Sequence, residues 1–235
     1  MKKSKANVII LFLTTLLLQS CIGSSEMKMI KETKASYTDY SNKDKQIRFV
    51  KMHHIGKEEF YADVATIVEN AKNKNYVLFY EWIDFDIATD IEKRKARKLV
   101  GFIPSPEGYK KLLKQLGDET LVVQKNDQYL NLVNNKDFRV DFTPKELIKS
   151  YESKYGMLVL NDEDKNTPIE DFIEVKLPQE QVNEVILNDR NKYLANKIIK
   201  SNHSKIIVLY GAAHEVGLVE LLQENDANWK EINNN

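Results

Sequence analysis

A single cysteine in 235 residues excludes a disulfide framework and any zinc or iron–sulfur site built from several thiolates. Glycine (8) and proline (5) are scarce, which excludes low-complexity and collagen-like chains. Neither sign of charge is in excess. With 35 Lys+Arg against 35 Asp+Glu and no basic stripe, nucleic acid is not an expected partner. Long hydrophobic runs are missing too. The longest apolar stretch, Val8 to Leu18, is short of the roughly 20 residues a bilayer-crossing helix needs. What remains has the composition of an ordinary globular domain, and the length favours one.

The apolar stretch follows Lys2, Lys3 and Lys5 and leads to Leu18-Gln19-Ser20-Cys21, which resembles a bacterial lipoprotein box. The expectation is a signal peptide over residues 1–20 and lipidation of Cys21. Cleavage there would remove the three lysines and leave a net charge of −3. Acyl chains on Cys21 would hold the protein to a bacterial membrane at the cell envelope. Residues 21–45 lack periodic apolar positions and read as a tether, with the folded domain over 46–235.

Within that domain, Ile47 to Met52 alternates like a strand. Phe60, Val64, Ile67, Val68 and Ala71 recur at helical spacing over 57–73. Tyr76 to Tyr80 and Ile206 to Tyr210 are continuous apolar runs, as in strands buried on both faces. Leu121 to Gln124 reads as a further strand. Helices are expected over 90–98 (charge-dense and solvated), from Ser105-Pro106 to Leu116, after Thr143-Pro144, over 178–200 and over 215–224. Residues 161–170 read as an exposed loop. Buried strands between amphipathic helices imply an α/β fold, with a central mixed or parallel sheet flanked by helices.

Ligands of parallel α/β sheets bind beyond the carboxyl ends of the strands. Three such ends carry chemistry: His53-His54-Ile55-Gly56, Tyr80-Glu81, and Tyr210-Gly211-Ala212-Ala213-His214. His54, Glu81 and His214 together could ligate a divalent metal or relay a proton to water. The small residues before His214 allow close backbone approach. His53 points away from His54 if the strand continues and is assigned a structural role. Asp84 and Asp86 could share a face and add ligands, although such a pair more often lies on a wet edge. His203, in a helix-to-strand loop, and the Lys/Arg run over 93–98 read as solvated.

At these positions the sequence resembles the TraB/PrgY/TIKI (TraB/GumN) superfamily. The resemblance is carried by four blocks in the family's order: Val50 to Tyr61, Val77 to Glu81, Leu187 to Ala195, and Val208 to Leu218. A middle segment, Leu121 to Leu147, is similar as well and includes Gln124 and Asp141. One departure is Lys51, where the family often has the glycine of Gly-x-x-His; alternation along the strand would let Lys51 face outward. The resemblance implies a fold related to the erythromycin esterase-like and ChaN-like proteins. It also implies a site of His54, Glu81 and His214 supported by Arg190, with a divalent metal (Mn, Co or Zn) as in the metal-dependent peptidases of the family.

Three functions follow as expectations. The first is a metal-assisted, peptidase-like hydrolase acting on a peptide or small molecule, with water activated at His54, Glu81 and His214 and Arg190 stabilising an oxyanion. The second is a non-catalytic lipoprotein that captures a peptide signal or haem. The third is a metal-free hydrolase in which His and Glu activate water.

Overall fold

The computed structural model describes residues 24–125 and 131–232. The expected signal segment and Cys21 lie outside the described residues, as do positions 126–130 of the Leu121 to Leu147 segment. No described helix is long and apolar enough to cross a membrane.

The protein is α/β. Its strands are β1 (Tyr37–Ser41), β2 (Gln46–Met52), β3 (Ile55–Gly56), β4 (Val77–Tyr80), β5 (Val122–Val123), β6 (Phe138–Arg139), β7 (Lys205–Gly211) and β8 (Lys230–Glu231). Six of them form one mixed sheet in the order β6-β4-β7-β2-β1-β8. β6, β4, β7 and β2 run parallel, and β1 and β8 complete the sheet antiparallel. β3 and β5 pair separately.

Both faces of the sheet are covered, which explains the unbroken apolar runs. Ile206, Val208 and Tyr210 of β7 join Ile47 and Phe49 against Leu194, Ile198, Leu218 and Leu222. Those four belong to α8 (Arg190–Lys200) and α9 (Glu215–Asn225). Ile207 and Leu209 face the other way, with Val50 and Leu78, against Phe60, Val64 and Val68 of α2 (Glu58–Asn73). A third apolar cluster joins α3 (Asp90–Val100), α5 (Pro144–Tyr155) and the turn around Val185. Its Val100, Leu147 and Ile186 line one wall of a cleft at the end of the sheet. α4 (Pro106–Leu116) contributes Tyr109 to the same cleft. Ser105 caps α4 and Thr143 caps α5, each followed by proline at the first turn.

Four expectations need correction. The expected tether over 21–45 holds ordered elements, because α1 (Ser24–Ile30) buries Ile30 against Ile55 and Tyr109 and Tyr37–Ser41 is a strand of the sheet. Asp39 lies opposite Arg48 in the β1–β2 register and accepts from its Nε at 2.8 Å and Nη2 at 2.7 Å. That buried fork holds a strand whose composition is too polar to signal one. The Lys/Arg run over 93–98 is not wholly solvated either. Arg97 is fully buried, and with Arg94 it donates to the carbonyls of Asp164 and Thr167. Those carbonyls belong to the 161–170 stretch expected as an open loop, part of which is the short helix α6 (Asp162–Asn166), capped by Asn161. Finally, the helix expected over 178–200 is interrupted. α7 (Gln179–Asn183) passes into a π turn (Glu184–Asp189) before α8 begins at Arg190.

Candidate active site

The four parallel strands end on the same edge of the sheet, and each is followed within three residues by a polar site residue. β2 delivers His54, β4 delivers Glu81, β6 delivers Asp141 and β7 delivers His214. Backbone pairing continues past the strands and sets two of these positions: the Glu81 N–H donates to Leu209 O and the Val140 N–H to Tyr80 O. The structure thus brings Glu81, His214 and Arg190 into contact and sets His54 beside them on one cleft.

Arg190 stands at the centre. Its Nε donates to Asp141 Oδ1 at 2.9 Å, and its Nη2 donates to Asp141 Oδ2 at 2.7 Å and to Glu81 Oε1 at 2.5 Å. Its Nη1 donates to Ile186 O and to His214 Nε2, both at 3.2 Å. A guanidinium has five N–H donors, and all five are used. The Ile186 carbonyl lies in the π turn, one of the places where such turns recur beside functional side chains. Burial works against the charge of Arg190, but Asp141 and Glu81 outweigh it and hold the group protonated. Burial likewise lifts Asp141 above the usual carboxylate range despite the bidentate partner. For Glu81, burial is overcome by Arg190 and the neighbouring histidines, and its carboxyl lies well below that range. Glu81 Oε2 also accepts the Gly211 N–H at 2.6 Å.

His214 is neutral, pushed down to about 3 by burial and then by Arg190. Its Nδ1 lies 2.7 Å from Asn191 Oδ1. With the proton on Nδ1 donated to Asn191, the lone pair of Nε2 accepts from Arg190, so one tautomer satisfies both contacts. Asn191 reaches the ring because residue 217 is glycine: a Cβ there would stand 2.5 Å from Asn191 Nδ2.

His54 makes no contact with Arg190 of the kind its neighbours make. It is half-buried, stacks on Tyr109 with ring centroids 4.6 Å apart, and lines the cleft. Burial, opposed by Glu81 and helped by Arg190, lowers its pKa and keeps the imidazole neutral; Gln124 hydrogen-bonds to it. His53 is buried, with its ring stacked on Phe60. Lys51 faces the start of α9, with its Nζ 2.8 Å from Glu215 Oε2. Asp84 and Asp86 line the cleft, Asp84 Oδ1 accepting the Asp86 N–H. His203 lies away from the site, near Phe138.

His54, Glu81 and His214 are not grouped as a set of metal ligands in this arrangement. Among the described residues no group of three His, Cys, Asp or Glu side chains is placed to hold a metal ion. The geometry gives the reason. Arg190 donates to both His214 Nε2 and Glu81 Oε1, which are 3.9 Å apart. A divalent cation there would also face a buried guanidinium.

In the sequence Asp141 stands out only as part of the similar middle segment, and nothing there gives a role to Asn191 or Tyr109. β6 is only two residues long, so no strand signal marked Asp141; the Thr143-Pro144 helix start just after it was the available cue. Compared with known proteins, the chain matches no family model, no curated protein and no solved structure.

The Gly217 packing leads to a direct expectation. Glycine to alanine in a helix ordinarily stabilises by roughly 1 kcal/mol. Gly217→Ala is expected to destabilise instead, because the new methyl displaces Asn191 from His214. Urea unfolding measures the sign; a stabilised variant would show that Asn191 moves at no cost.

Proposed function

We propose that this chain is a TraB-like lipoprotein of the bacterial envelope whose cleft hydrolyses an ester or amide without a metal. The observation that supports this reading most is the division of labour in the site. Arg190, Asp141, Glu81 and His214 satisfy one another, Glu81 and Arg190 at the cleft wall, whereas His54 presents to the cleft a neutral imidazole outside that cluster. At neutral pH His54 can take a proton from a water molecule as the water oxygen attacks the carbonyl carbon. It then returns that proton to the departing alkoxide or amine, so the imidazole ends as it began. The ionised Glu81 stabilises the transient imidazolium. Arg190, bonded through all five donors, is a positioning residue that fixes Glu81 and His214; the oxyanion role expected for it has no donor left to serve it.

Binding without turnover is the second reading. The full engagement of Arg190 and of both Glu81 oxygens favours it, since neither is left to touch a substrate.

Hydrolysis of an ester and peptide panel by the full chain, with and without chelator, separates these readings. Turnover is expected to survive chelation and to fall about 10²–10⁴-fold in His54→Ala, the usual worth of a general base. Turnover lost to chelator would restore the metal mechanism, and turnover indifferent to His54→Ala would overturn the assignment of the base. For the anchor, Cys21→Ser is expected to move the protein from the membrane to the soluble fraction. Retention on the membrane would contradict lipidation at that residue.

A further inference from the structure

The cleft has a volume of about 230 Å³. Its walls include Trp82, Phe85, Val100, Tyr109, Leu147 and Ile186, so the space beside His54 is mainly apolar and aromatic. A dry apolar cavity of about 150 Å³ accepts benzene, whereas sites for drug-sized ligands span about 300–1,000 Å³. The cleft therefore suits one ring or one branched acyl group.

Its charge is one-sided. Glu81, Asp84 and Asp86 line it, and Arg190 is the only arginine or lysine among the described residues that does. No described lysine or arginine forms an ion pair with Asp84 or Asp86. A ligand carboxylate could reach Arg190 only by breaking a bond to Glu81, Asp141, His214 or Ile186. It would also stand among three carboxylates.

We propose that the cleft takes a compact, uncharged apolar group, an aryl or branched acyl moiety, and discriminates against anionic ligands. This rests on the hydrolytic reading only in calling that group part of a substrate; the selectivity itself belongs to binding. Haem, a large macrocycle with two carboxylates, fails both criteria.

A matched pair of probes tests the inference: N-acetylphenylalanine amide, which is neutral, and N-acetylphenylalanine, which is anionic at pH 7.5. Trp82 lines the cleft, and the chain has only one other tryptophan, Trp229. In a Trp229→Phe background the fluorescence of the full chain in phosphatidylcholine vesicles reports Trp82 alone. Saturation-transfer NMR on the unsubstituted chain gives the same readout should Trp229→Phe not fold. Saturable binding of the amide is expected, at least about tenfold tighter than the acid, since like-charge approach is costly in a partly buried site. Val123→Phe, which adds bulk to a half-exposed lining residue, is expected to abolish it. Asp84→Asn is expected to narrow the amide-to-acid ratio.

Equal or tighter binding of the acid, no binding of the amide, or unchanged binding in Val123→Phe would overturn the proposal. An unchanged ratio in Asp84→Asn would overturn the part given to Asp84. The methyl ester of the same amino acid keeps the two readings apart. Selective binding of the amide with no turnover of the ester defeats the hydrolase and leaves the selectivity standing. Turnover of the ester alongside equal binding of the acid does the reverse.

Discussion

A guanidinium cannot stay charged inside a protein unless every N–H finds an acceptor and its charge is matched. Arg190 meets both conditions only because residues distant in sequence converge on it. Asp141 and Glu81 supply charge, while Ile186 and His214 supply the remaining acceptors. Removing the cation would strand the buried Asp141 carboxylate and the half-buried Glu81, and breaking a buried pair typically costs about 3–5 kcal/mol.

The rest of the architecture serves that convergence. Parallel strands put their carboxyl ends on one edge, so β2, β4, β6 and β7 each hand over a polar residue at the same level. Helices on both faces hide the strands, which leaves that edge as the place where polar groups can meet. The third cluster, built by α3, α5 and the π turn, closes over the edge and leaves the cleft beside His54. The π turn joins the two systems: Ile186 packs its side chain in that cluster and gives its carbonyl to Arg190.

Much of this could be read from the sequence, for reasons that differ by residue. β4 and β7 were legible because burial on both faces demands uninterrupted apolar side chains. Glu81 stood out because it follows such a run directly, and His214 because only three small residues separate it from one. Other features depend on partners far along the chain and leave no local trace. β1 reads as polar linker because the residue that holds it, Asp39, needs Arg48 across the hairpin. Arg97 reads as a solvated charge because its acceptors lie some seventy positions away, at Asp164 to Asp171. The π turn was hidden because apolar positions on both sides of it, Val182 to Ile186 and Leu194 to Ile198, each keep helical spacing. Asp141 carried the weakest signal of the site, although it takes two of the five Arg190 bonds.

The central claim is that the cation at the heart of the site is Arg190 rather than a metal ion. Elemental mass spectrometry of the untagged full chain, equilibrated with Mn, Co or Zn and freed of excess, tests it most directly. The expected result is no stoichiometric metal, in the native chain and in His54→Ala/His214→Ala alike. One equivalent of metal in the native chain that disappears in the double variant would contradict the claim.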